Sequence, residues 1–336
     1  MDKLSIIIPV YYNQETLYDL YDDISKKVIN ILTDVQVELI FVDDGSGDKS
    51  FEIVSSFAKE NENIKAIKLS KNFGSHSAIL CGLSYCTGDC AVVKAADLQE
   101  PTELIIDMYK KWREGNKVVL GVRKSRDDGL LTKLFADAYY KLVKNVALSN
   151  MPKNGFDVYL LDRLVIDNIV EMDEKNTALT GLILWSGFKT TLVSYERRKR
   201  EKGKSRWTFQ KKVRLFNDTL FAFTSIPISL ITIVGILSIL GAIIWTIVLI
   251  VMRLNGEITV EGWTSTFIFT LFSFGLTMIT LGLLGGYIWR GLDASRNRPV
   301  FIVEETKNIL QKKDIDLKKE IRLLIKKIEE LEEKQN

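Results

Sequence analysis

Carboxylates stand at two places where an apolar run stops and a turn begins. In "FVDDGSGDKS", Asp43 and Asp44 close a strand-like stretch, and Gly45 and Ser46 supply the tight turn and helix cap that follow. Adjacent side chains alternate sides, so one acid can face a ligand crevice while the other holds the loop. In "VVKAADLQEP", Asp97 and Gln99 follow another apolar stretch, just ahead of Pro101, a residue suited to the first turn of a helix. A hard divalent ion takes oxygen ligands and offsets the charge that grows on a diphosphate when a bond to it breaks. Asp97 can supply the anionic ligand, and Gln99 either a neutral oxygen or a hold on a metal-bound water. Each motif alone also reads as an acidic turn that only caps a helix. A third constellation, "GKSRWTF", sets Lys204 and Arg206 beside Trp207. Guanidinium grips phosphate with two parallel bonds, and indole favours a membrane interface. The plainer reading of these three is a basic collar beside a span.

The elements that must position these groups alternate between two periodicities. "LSIIIPVY", "VELIFVDDG", "IKAIKLS", "CAVVKAADL" and "KVVLGVR" are continuous apolar runs, the pattern of strands covered on both faces. Stretches of helical character fall between them at 15–32, 50–60, 75–85 and 103–113. The repetition predicts a doubly wound α/β sheet, in which ligands sit beyond the carboxyl ends of the strands. Beyond it come a helix around 131–148, a further helix, the short apolar segment "TALTGLILWSG" and a strand "KTTLVSYER". That segment is too short to span a bilayer and predicts a core or interfacial helix.

Thr219 to Met252 and Gly262 to Trp289 carry no charged residue, and each exceeds the roughly 20 residues that cross a hydrocarbon core. Two transmembrane helices are predicted, at 228–252 and 262–289. Basic residues from Arg197 to Arg214 precede the first, Arg290, Arg296 and Arg298 follow the second, and the connection holds only Arg253. Residues 1–205 form the predicted catalytic domain, 206–227 an in-plane helical segment, and both ends face the cytoplasm. The net charge of +3 says little in itself, and the gathering of basic residues beside the predicted spans makes nucleic acid a poor explanation for them. A single histidine among 336 residues argues against a Ser/His/Asp triad or a multi-histidine metal site, His76 reading as a helix-start residue rather than a base, and Cys81, Cys86 and Cys90 lack metal spacing and predict packing. In the charged tail 304–336, Leu317, Ile321, Leu324, Ile328 and Leu331 keep heptad spacing. The seam suits a homo-oligomer, up to a tetramer, and equally an amphipathic helix lying on its own domain or on the membrane.

Taken in order, "SIIIPVYYN", "VDDGSGD", "LSKNFGSHSAILCGL", "ADLQEP", "LGVRKSR", "KNGFDVYLLDR" and "GKSRWTF", followed by two spans, resemble family 2 glycosyltransferases of the GT-A fold. Within them the chain is similar to the membrane-anchored polyisoprenyl-phosphate glycosyltransferases related to bactoprenol glucosyltransferase and dolichol-phosphate mannose synthase. The resemblance covers Leu4 to Arg298 and leaves the heptads outside. It implies a nucleotide-sugar donor, most commonly a uridine diphosphate sugar, with Pro9, Tyr11 and Asp43 at the base and ribose. Asp44 would serve the loop or ribose, and Lys71 with Arg123 the phosphates. Mg2+ or Mn2+ would lie on Asp97 and Gln99, and Asp157 would stand beside the acceptor. The acceptor implied is a polyisoprenyl phosphate, undecaprenyl phosphate in a bacterium, with its headgroup near Lys204, Arg206 and Trp207. Transfer would invert the anomeric centre, and a flippase and a downstream transferase would use the product.

The family's usual DxDLQ departs here, with Ala95 in place of its first acid and Lys94 before it, so weaker metal affinity is expected. Gly203 replaces the glutamine of the QxxRW found in processive synthases, which disfavours polymer formation. Two other readings remain open at this level. One is a non-catalytic membrane scaffold; the other is transfer to another lipid alcohol, for which Asp157 would be a true base.

Overall fold

The structure, a computed structural model, describes residues 1–124, 150–152, 155–172, 174, 178–198, 262–296 and 298–309, with scattered positions from 231 to 255. An eight-stranded sheet runs β7-β5-β6-β4-β1-β2-β3-β8. Its strands are β1 (Lys3–Val10), β2 (Gln36–Asp43), β3 (Ile64–Leu69), β4 (Cys90–Val93), β5 (Val118–Arg123), β6 (Val158–Asp162), β7 (Thr190–Tyr195) and β8 (Val303–Lys307).

The continuous apolar runs are explained by helices on both faces. Alternate residues of a strand point to opposite sides. Thus Ile6 and Ile8 of β1 pack with α1 (Leu17–Ile24), α2 (Ser50–Glu60) and α4 (Leu104–Arg113). Ile7 packs instead with α3 (Ser75–Tyr85), α5 (Arg163–Met172) and α6 (Leu179–Trp185). The four helices predicted within residues 15–113 are present, the first ending in a π turn at Ser25–Ile29, and the helix expected around 131–148 lies outside the described residues. The "TALTGLILWSG" segment is a core helix, with Leu179, Leu182, Ile183 and Leu184 buried, and the three cysteines are buried thiols.

Two features differ from the sequence expectation. The parallel set is β3-β2-β1-β4, but β6 enters antiparallel between β4 and β5. β6 is the "VYLLD" of the Asp157 motif, five buried residues too short to stand out as a strand beside the helix that follows. The sheet is therefore mixed, and Asp157 lies at the mouth of an inserted strand. The second difference is at 304–336, where a helix is expected. Val303–Lys307 instead forms β8, antiparallel to β3, so the open edge of the parallel set is covered by a segment that follows the long apolar helix described below. Asn308 ends it in the left-handed region, φ 56°, with its side-chain amide donating to the carbonyls of Ala58, Asn61 and Ile64. The heptad residues from Leu317 onward lie outside the described residues.

One further helix, α7 (Trp263–Ser295), contains a stretch, Phe272–Ser295, long and apolar enough to cross a membrane. Phe272, Ile279 and Ile288 stand exposed along it. The described positions between 231 and 254 are helical, but all of the expected segment 206–227, and Lys204 before it, lie outside the described residues, Arg206 and Trp207 included.

Candidate active site

The polar residues at the carboxyl ends of the strands form two neighbouring groups. The first gathers around β2. Asp43 is fully buried, its Oδ2 accepts the Ser46 N–H at 3.1 Å, and its Oδ1 has no hydrogen-bond partner. Burial pushes its carboxyl above the usual range, against the pull of the Ser46 hydrogen bonds. Asp44 accepts the N–H groups of Phe73 at 2.7 Å and Gly74 at 2.9 Å, and so fastens the β3–α3 loop. That loop bears Lys71, whose ammonium lies 5.0 Å from the centre of the Phe73 ring. Of the two adjacent acids, Asp44 holds a loop, and Asp43 keeps one oxygen without a hydrogen-bond partner.

Gly45 is required where these loops touch. At φ +69°, a Cβ there would come 2.6 Å from the Lys71 carbonyl carbon. On the facing side, Ser46 Oγ accepts the Tyr12 N–H at 2.9 Å, and Asn13 Oδ1 accepts the Tyr11 N–H at 2.8 Å. Pro9 lies in register with Val42, one residue before the carboxylate pair.

The second group gathers around the loop after β4. The Thr16 hydroxyl donates to the Ala96 carbonyl at 2.8 Å, tying the two groups together. Asp97 Oδ1 accepts the Gln99 N–H at 3.2 Å, and Leu98 between them is in the left-handed region, φ 58°. Such a conformation is sparse for a leucine and collects at functional loops. Gln99 faces the chain that leaves β7. Its Oε1 accepts Arg197 Nη2 at 2.6 Å, and its main-chain carbonyl accepts the Arg198 N–H at 2.8 Å. Arg198 also reaches Glu103 at 3.3 Å.

Arg123, at the end of β5, donates Nε to Asp157 Oδ2 at 2.6 Å, and its Nη2 pairs with the same oxygen. Burial alone would lower the guanidinium pKa, but Asp157 and Tyr195 hold it above its ordinary value. The Tyr195 hydroxyl, at the end of β7, is pushed well above the phenol range by burial, with Asp157 and Glu100 adding to it.

Lys71 follows β3 and Arg123 ends β5, with β2, β1, β4 and β6 between those strands, and Arg123 pairs with Asp157. Two buried groups also escape the sequence reading. Glu100 is 4% exposed, and its Oε2 has no hydrogen-bond partner. Burial raises its carboxyl pKa, as does Asp97, while Lys94 and Arg197 pull it down. Lys94 is 1% exposed and donates to the Glu100 main-chain carbonyl at 2.8 Å. An acid next to Pro101 looks like a helix-start residue, and a lysine ending an apolar strand looks like a snorkelling surface cation. Their burial comes from the folded chain around them, which no local spacing announces.

Among the described residues, no three His, Cys, Asp or Glu side chains cluster as a ready-made metal cage. A divalent ion on a diphosphate needs only one or two carboxylates, the phosphates and water completing its shell. Asp97 with the unpartnered oxygen of Glu100 fits that demand.

The glycosyl transferase family 2 pattern matches residues 5–167. An uncharacterized glycosyltransferase of Bacillus subtilis, YkcC, is 34% identical over 93% of this chain and 96% of its own length. The prophage bactoprenol glucosyl transferase homolog of Escherichia coli is 30% identical over 91% of this chain and 99% of its own. Among solved structures, mannosyl-3-phosphoglycerate synthase from Rubrobacter xylanophilus matches at 16% identity and TM-score 0.45, covering 65% of this chain and 71% of that one.

Proposed function

This chain belongs to glycosyl transferase family 2, and from that premise we propose that it moves a single sugar from a nucleotide-sugar to a polyisoprenyl phosphate at the cytoplasmic face of a membrane. The donor proposed is a uridine diphosphate sugar and the acceptor undecaprenyl phosphate. The observation that carries this reading is the fastening of Gln99 to Arg197 and Arg198. It joins the loop bearing Asp97 to the first residues of the basic segment that leads toward the membrane, so a phosphate-handling loop and a lipid-facing segment meet at one place.

Pro9, Tyr11 and Asp43 take the base and ribose in this reading, with the free Asp43 oxygen as acceptor for a donor group of the nucleoside. Asp44 acts by holding the loop that carries Lys71 toward the phosphates. Mg2+ or Mn2+, when bound at Asp97, supplies the charge that stabilises the departing diphosphate. Gln99, whose amide oxygen is occupied by Arg197, positions the loop. A phosphate oxygen of the acceptor attacks the anomeric carbon as the bond from that carbon to the diphosphate oxygen breaks, and the nucleoside diphosphate leaves.

A phosphate monoester has its second pKa near about 6, so at pH 7 the nucleophile is mostly ionised and needs no strong base. Asp157, fixed by Arg123, orients it. One displacement without a covalent intermediate inverts the anomeric centre. Lys204, Arg206 and Trp207 are proposed to receive the acceptor headgroup. Two spans, with both chain ends on the cytoplasmic side, are proposed to hold the enzyme in place. The test is incubation of the full chain in detergent with Mg2+, undecaprenyl phosphate and radiolabelled uridine diphosphate sugars. An acid-labile, lipid-extractable sugar is expected, and its absence with every donor refutes the proposal in favour of a scaffold.

A further inference from the structure

We propose that Glu100 is the second carboxylate of the cation site, filling in this chain the part left open by Ala95; the inference rests on the metal-dependent reading above. Two of the oxygen donors expected near the diphosphate are missing or engaged. Position 95 offers only a methyl group. The Gln99 amide oxygen accepts a charged hydrogen bond from Arg197, at 2.6 Å. What remains beside Asp97 is Glu100.

A carboxylate oxygen sealed from water without a partner is costly, and such groups in folded proteins generally have a partner, an ion or a catalytic use. Glu100 is 4% exposed, and its Oε2 has no hydrogen-bond partner. The obvious internal partner is turned elsewhere, because the Lys94 ammonium donates to the Glu100 carbonyl and leaves that carboxylate oxygen unsatisfied. Lys94, itself 1% exposed, holds the loop through that main-chain bond. The left-handed turn at Leu98 bends the chain between Asp97 and Glu100. An acid at that turn and, three residues on, a buried acid whose Oε2 has no hydrogen-bond partner are the residues that a divalent cation would draw together. Their number is the one or two that Mg2+ or Mn2+ uses when a diphosphate fills the rest of the shell.

The test is Mn2+ binding to the full chain in detergent, read from the electron paramagnetic resonance of free Mn2+ with uridine diphosphate present, so turnover is not the readout. Wild type is expected to bind Mn2+, and Glu100→Gln to weaken it by at least about tenfold, the scale of perturbed metal ligation. Adding Ala95→Asp to Glu100→Gln is expected to restore most of the affinity, which an unfolded loop could not do. Glu100→Gln binding within about twofold of wild type overturns the inference while leaving a metal site standing, since ligand loss costs more than that. A loss that Ala95→Asp does not recover also overturns it, assigning Glu100 to loop architecture. Failure of wild type to bind Mn2+ at all removes the metal-dependent reading itself, and this inference with it.

Discussion

Glu38 anchors the end of the sheet away from the candidate site, and its environment sets a stability that can be calculated and measured. It is buried on β2, where its Oε1 accepts from Ser5 at 2.5 Å and the Thr87 N–H at 2.6 Å, and its Oε2 from Lys65 at 2.9 Å and the Thr87 hydroxyl at 2.8 Å. Burial pushes the carboxyl pKa up, but Lys65, Ser5 and Thr87 together outweigh it and bring it from 4.5 to about 2. At about 1.4 kcal/mol per tenfold in proton affinity, ionised Glu38 contributes about 3 kcal/mol at pH 7. Breaking a buried ion pair by removing one partner costs about the same, 3–5 kcal/mol. The folded pKa is depressed, so this stability is present above 4.5 and is lost as the pH falls toward 2. Glu38→Gln removes the charge and the titration together. The stability gap between wild type and variant should be about 3 kcal/mol at pH 7 and shrink to about 1.4 kcal/mol at pH 3. Denaturant unfolding of the full chain in detergent, followed by tryptophan fluorescence across that range, measures the gap. A gap that stays constant from pH 7 to pH 3 refutes the claim that the native contacts hold Glu38 ionised.

Two further outcomes bear on the site. Asp157→Asn should lower turnover with a polyisoprenyl phosphate by less than about 100-fold, the bottom of the general-base range, because the nucleophile is already ionised. A loss near about 10,000-fold at saturating substrates would instead assign Asp157 to proton abstraction from a lipid alcohol. Gly45→Ala puts a methyl 2.6 Å from the Lys71 carbonyl carbon at φ +69°. A left-handed alanine costs about 1–2 kcal/mol, so the KM for the nucleotide-sugar should rise about tenfold with little change for the lipid. An unchanged donor KM would separate the Lys71 loop from donor binding.

Much of this arrangement is legible in the chain itself. Ile6 to Ile8 and Leu39 to Val42 read as strands covered on both faces because their apolar runs are unbroken, and helices do cover both faces. Asp43, Asp44 and Asp97 stand out because their motifs, each ambiguous alone, end apolar runs in the order that the family resemblance carries. Other parts depend on partners distant in sequence. β6 has only five residues, and nothing local says that it pairs antiparallel between β4 and β5. Val303–Lys307 is charged enough to read as the start of a helical tail. It becomes a strand because β3 offers an unpaired edge.

The order of residues alone determined the alternation of strand and helix, the two acidic strand ends, the long uncharged stretches and the family. These follow from local chemistry, since side-chain periodicity and turn residues act over a few positions. Tertiary structure decided which acids remain available. Asp44 is committed to the Phe73 and Gly74 amides, Asp157 to Arg123 and the Gln99 amide to Arg197, while Asp43 and Glu100 each keep an unpartnered oxygen. Burial and hydrogen bonding depend on neighbours brought together across the sheet, and no spacing along the chain encodes which oxygen is left over.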